Sequence, residues 1–116
     1  MENMENRRKK RIFHKADVQF KILGEQESRG GHGYRQAMTK NISEGGLCIG
    51  VPFAVEEGNV LMLDLKLDLV SAEISAISEI VWCRRVYEGY EAGVSFINLA
   101  DKDRLKLADF TQKKLS

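Results

Sequence analysis

Hydrophobic and polar residues alternate along most of this chain, and the alternation divides it into short extended segments. From Ala16 to Leu23, Ala16, Val18, Phe20 and Ile22 alternate with Asp17, Gln19 and Lys21, the period of a strand with one face turned inward. Tyr34 to Ile42 reads as a second strand, and Leu47-Cys48-Ile49-Gly50-Val51 as a short third that Pro52 ends by removing a ladder donor. Gly58-Asn59 turns the chain into Val60 to Leu67, where Leu61, Leu63, Leu65 and Leu67 oppose Val60, Met62, Asp64 and Lys66. Ile74 to Val86 is long for a strand. In it Ile74, Ala76, Ser78, Ile80 and Trp82 alternate with Ser75, Ile77, Glu79, Val81 and Cys83. After a Glu88-Gly89 turn, Tyr90 to Ile97 forms the last strand. Six short strands joined by polar turns predict an antiparallel barrel or sandwich.

The tail changes period. Asp101 is placed to cap a helix running to Lys113-Lys114, with acid in the first turn and cations in the last, as the helix dipole prefers. Leu105 and Ala108 share one side of it and Leu107 and Phe110 another, so the helix is suited to cover one mouth or edge of the barrel, a protein interface being the competing role. The polar stretch Gly24 to Gly33 ends in Gly30-Gly31-His32-Gly33, without the Gly-Lys-Ser/Thr or helix that a phosphate loop requires; it reads as a hairpin connection.

Composition narrows the class. A chain of 116 residues, 43% hydrophobic, is one domain, able to bury roughly two-thirds of its unfolded surface. No apolar run approaches the roughly 20 residues of a membrane helix, and the charged N-terminus leads into no signal-peptide segment, so the expected location is cytoplasmic. Cys48 and Cys83 lie in separate apolar runs with no Cys-x-x-Cys, which favours buried reduced thiols over a disulfide or metal site. Asn41-Ile42-Ser43 matches a glycosylation acceptor, but without a secretory signal it has no route to modification.

Charge is where the candidate chemistry lies. Arg7-Arg8-Lys9-Lys10-Arg11 places five cations in a row, yet Lys and Arg total 18 against 17 Asp and Glu. The rest of the chain is therefore mildly acidic and a poor surface for a nucleic-acid polymer. A like-charged block of this kind is either a solvated tail or the attractor of a small, discrete anion. The complementary element is the compact polar turn Asn41-Ile42-Ser43-Glu44-Gly45-Gly46, where amide, hydroxyl and bare backbone sit between two apolar runs.

These residues resemble the PilZ domain, a bacterial receptor module for the second messenger cyclic di-GMP. Its two ligand-binding signatures, Arg-x-x-x-Arg and Asp/Asn-x-Ser-x-x-Gly, are matched in order by Arg7 to Arg11 and by Asn41 to Gly46. Val18 and Phe20, Gly46-Leu47, Gly58, Val81-Trp82 and Gly93-Val94-Ser95-Phe96 also fall where such domains look alike. The resemblance implies a six-stranded antiparallel β-barrel with a C-terminal helix at about 101–114. It implies a flexible basic arm over residues 1–15 and a barrel with helix over residues 16–116. It points to Arg7, Arg8, Arg11, Asn41, Ser43, Gly45 and Gly46 as ligand-binding residues, with cyclic di-GMP as ligand and no cofactor, metal or catalysis.

The residue types fit that ligand. A guanidinium can bind a phosphodiester or the guanine O6/N7 edge through paired hydrogen bonds, and can stack on the base, where lysine offers a point charge. Asn41 and Ser43 would add short directional contacts, and Gly46 a close backbone approach. The other reading of Asn41 and Ser43 is a turn in which their side chains bond neighbouring amides. On the receptor reading, ligand binding orders the arm and alters a surface seen by a partner protein; the alternative is a PilZ-like interaction module acting without nucleotide. An enzyme is disfavoured, because Ser43 lacks a Gly-x-Ser-x-Gly elbow and His14 and His32 have no evident nucleophile or metal set. Where many PilZ domains have an arginine before Arg-x-x-x-Arg and hold two stacked ligands, this chain has Asn6. The missing charge favours one ligand per chain.

Overall fold

The alternating segments close into a barrel. The computed structural model describes residues 11–24 and 34–115. Its strands are β1 Ile12–Phe13, β2 Asp17–Ile22, β3 Arg35–Ser43, β4 Gly46–Val51, β5 Val60–Leu67, β6 Ala72–Val86 and β7 Gly89–Asn98. A 3-10 turn, Asp68–Val70, links β5 to β6, and helix α1, Asp101–Leu115, follows β7. The pairing order β1-β3-β2-β5-β6-β7-β4, closed by a β3–β4 ladder, gives a six-stranded antiparallel barrel with β1 as an extra strand on β3. Closure removes the free edges that an open sheet would leave.

Leucine at every second position of β5 explains where the core sits. Leu61, Leu63, Leu65 and Leu67 are all fully buried and meet Phe20, Ile42, Leu47, Ile49, Ile74 and Ile80 inside the barrel. Helix α1 covers one mouth with Leu107 and Phe110, both fully buried, while Leu105 on its other apolar side stays 70% exposed. Lys106 Nζ donates to the Glu73 carbonyl (3.1 Å), tying the helix to the start of β6. The first helical bonds run from the Asp103 and Arg104 amides to the Ala100 carbonyl. Asp101 therefore lies inside the first turn rather than at the cap expected from the sequence, and its charge still meets the positive end of the dipole.

Ile12 and Phe13, read from the sequence as part of the arm, pair with Ile42 and Asn41 of β3. Two residues are too few to display a period, and the cations before them masked the element. The gap between β1 and β2 is held by the buried Thr39. Its hydroxyl donates to the His14 carbonyl (2.6 Å) and accepts from the Ala16 amide (2.8 Å), so the chain crosses the gap without leaving the barrel wall.

Of the three irregularities in the ladders among the described residues, two decide which side chains of β3 and β6 face outward near Asn41 and Trp82. The β3–β4 register steps from Thr39↔Ile49 to Asn41↔Cys48, leaving Lys40 extra. The β6–β7 register steps from Ile80↔Val94 to Trp82↔Gly93, leaving Val81 extra. An extra residue reverses the facing of everything after it. Strict alternation would put Asn41 with Thr39 and Trp82 with Ile80, toward the core; the bulges turn both to the outside.

Candidate functional site

Because of those bulges, one cross-strand row runs over the outer wall. Phe13 pairs with Asn41, Asn41 with Cys48, Cys48 with Gly93, and Gly93 with Trp82. The row crosses β1, β3, β4, β7 and β6 in that spatial order. Adjacent strands lie about 4.8 Å apart, so its ends are separated by roughly 19 Å along the curved wall. Arg11, Lys40, Arg84 and Glu91 join it around an open cleft of about 540 Å³.

Arg11, the last residue of the first signature, meets Asn41, the first of the second, at one end of this row. Arg11 Nη1 donates a 2.6 Å hydrogen bond to Asn41 Oδ1, across a separation of thirty residues in the chain. Ser43 is placed differently: its hydroxyl accepts from the Gly45 amide (3.2 Å) and donates to the Gly46 carbonyl (3.3 Å), bracing the hairpin from within. The Gly45 carbonyl accepts from the Phe96 amide (3.0 Å), which anchors the turn to β7. A β-carbon at Gly46 would overlap the Val94 carbonyl, so the close passage of β4 against β7 there requires glycine. Ser43, Gly45 and Gly46 thus form the frame beside the cleft. Arg7 and Arg8 lie outside the described residues.

At the other end the charges are organised by Glu91. Its carboxylate accepts from Lys40 Nζ (2.8 Å) and from Arg84 Nε (3.2 Å) and Nη2 (2.9 Å), and it is 15% exposed. The hydrogen bond from Lys40, then those from Arg84, hold Glu91 below the usual glutamate range, and the same contact raises Lys40. The Arg84 guanidinium stands 5.4 Å from the centre of the Trp82 ring. That ring lies on Gly93, where any β-carbon would overlap the indole. Beneath the cleft, burial pushes the Cys48 thiol up, away from the thiolate. Cys48 and Cys83 are both free, Cys48 buried on the outer wall and Cys83 half-buried against the core. Among the described residues no cluster of His, Cys, Asp and Glu could hold a metal ion.

Lys40, Trp82, Arg84 and Glu91, which line the cleft, were not legible from the sequence because Lys40 is itself the extra residue of one bulge, Trp82 and Arg84 lie beyond the other, and Glu91 reaches the cleft across a strand pair. Gly93, opposite Trp82, carried a usable signal: a glycine in mid-strand marks a close approach.

The PilZ domain family model matches residues 5–113. The chain belongs to the PilZ domain family. Solved structures support the fold. The inhibitor of motility MotI/DgrA of Bacillus subtilis aligns with a TM-score of 0.76 at 17% identity over 92% of this chain and 50% of that one, so the chain spans about half that protein's length. The PilZ domain of YcgR from Escherichia coli, solved with c-di-GMP, aligns at 0.68 and 12% identity over 93% and 90%. The PilZ domain of CeSA from a cellulose-synthesizing bacterium aligns at 0.61 and 14% over 92% and 99%. The comparison with curated proteins gives no match. No described helix is long and apolar enough to cross a membrane.

Proposed function

We propose that this PilZ domain is a non-catalytic bacterial receptor for cyclic di-GMP, held on the outer wall between the N-terminal arginines and the turn at residues 41–46. The observation that carries the reading is the hydrogen bond from Arg11 to Asn41, one residue of each family signature, both of which line the cleft. Arg11 uses one of its five N–H donors on Asn41 and keeps the rest for phosphate or the guanine edge. Arg7 and Arg8 add charge from the arm, while Ser43, Gly45 and Gly46 hold the turn in place. One ligand per chain is the expected stoichiometry, since Asn6 offers no cation for a second dianion. YcgR, a structural relative, binds this nucleotide in its solved form.

The signal then passes to a protein partner of the cytoplasmic machinery. His14, just after β1, packs edge-on against Phe110 of α1 with ring centres 5.0 Å apart, so arm ordering has a direct mechanical route to the helix and its exposed Leu105. Calorimetric titration with cyclic di-GMP, beside GMP and cyclic di-AMP, tests the receptor function. Saturable binding of cyclic di-GMP alone, ending near one per chain, is expected; a flat titration overturns it.

A further inference from the structure

The family signatures supply polar contacts and guanidinium planes, and a purine has two flat faces to cover. Two aromatic rings stand at opposite ends of the cross-strand row. Trp82 is already engaged: one side lies on Gly93 and the Arg84 guanidinium stands over the ring. Phe13 is not. It is 83% exposed, on the same face as Asn41 with which it pairs, and it lines the cleft two residues from Arg11.

An apolar ring in that position has little to do for the fold. It is outside the core cluster, its neighbour Ile12 already anchors β1 to Ile42 inside the barrel, and the strand pairing needs only its backbone. Beside cations, an open aromatic face is suited to a planar anionic ligand: the ring takes the base while the guanidinium takes the phosphate.

Resting on the receptor reading above, we infer that Phe13 is a base-stacking residue of the site, receiving one guanine of cyclic di-GMP on its exposed face. Arg11 and Asn41 then hold that nucleotide's polar groups. Trp82 and Arg84 bound the far end of the cleft.

The test compares cyclic di-GMP binding to the parent chain with Phe13→Ala, Phe13→Leu and Phe13→Tyr, measured by calorimetry and by the change in guanine ultraviolet absorbance on binding. Phe13→Ala should weaken binding about 5- to 100-fold and abolish part of the absorbance change. Phe13→Tyr should restore both, and Phe13→Leu should restore neither fully. Thermal unfolding of all three should match the parent, separating this role from a structural one. If Phe13→Ala or Phe13→Leu binds like the parent, the stacking assignment is wrong although the receptor reading stands. If the parent itself does not bind cyclic di-GMP, both fall.

Discussion

Arg11 and Asn41 are joined side chain to side chain at 2.6 Å, and this one bond ties the last cation of the Arg7 to Arg11 run to the barrel wall. Arg11 is exposed, so the bond contributes little to folding. Its effect is to aim the guanidinium across the cleft in advance, and pre-orientation reduces the ordering cost of binding.

Arg11→Ala should therefore leave stability within error and weaken cyclic di-GMP binding by about 1.5 to 3 kcal/mol, the range for a charge-assisted hydrogen bond. Arg11→Lys keeps the charge and loses the fork. Calorimetry should find it closer to alanine than to arginine; parity with the parent would mean that charge alone suffices.

The seat of Trp82 gives a second expectation. Gly93→Ala forces a β-carbon into the indole, and the ring must leave the wall. Overpacking of this kind costs about 1 to 3 kcal/mol, measurable by denaturant unfolding. The near-ultraviolet circular dichroism of the single tryptophan should change with it, and an unaltered band would contradict the described seat.

Glu91 predicts a pH dependence. The fold holds it below the ordinary glutamate range through Lys40 and Arg84, so the unfolded chain takes up this proton at a higher pH than the folded one. The stabilisation is complete above that range and is lost as pH falls toward the lowered value. Both cations are substantially exposed, which limits the contribution to about 1 kcal/mol. Urea unfolding of the parent and of Glu91→Gln should differ at neutral pH and converge on acidification.

Phe110 links the helix to the barrel and to His14. Its truncation to alanine should cost about 3 to 5 kcal/mol, as is usual on emptying a buried aromatic site. Burial and, less strongly, Lys114 hold His14 below its ordinary value. Loss of the ring should admit water and let the His14 titration, followed by its imidazole proton resonances, move up toward the normal histidine range.

The barrel was legible because alternation is a direct record of facing: the four leucines of β5 and the breaks at Pro52, Gly58 and Gly89 set strands close to those observed. The contact between Arg11 and Asn41 joins one residue of each signature that the sequence displays. The far half of the cleft was hidden. A single extra residue at Lys40 or Val81 leaves composition and local pattern unchanged while reversing the facing of the remainder of its strand. Trp82 consequently reads as a partner of Ile80, while for Ser43 the sequence leaves ligand contact and turn bracing side by side, and its hydroxyl makes the bracing bonds.

Cyclic di-GMP is proposed to sit on the outer wall between the N-terminal arginines and the turn at residues 41–46, over the row that runs from Phe13 toward Trp82. Backbone amide chemical shifts recorded through a titration test it most directly. The account predicts the largest changes at Phe13, Asn41, Cys48, Trp82 and Gly93, with Gln19 and Asp64 on the opposite wall, paired across β2 and β5, unmoved. Changes centred on Gln19 and Asp64, or none in the row at saturation, would contradict it.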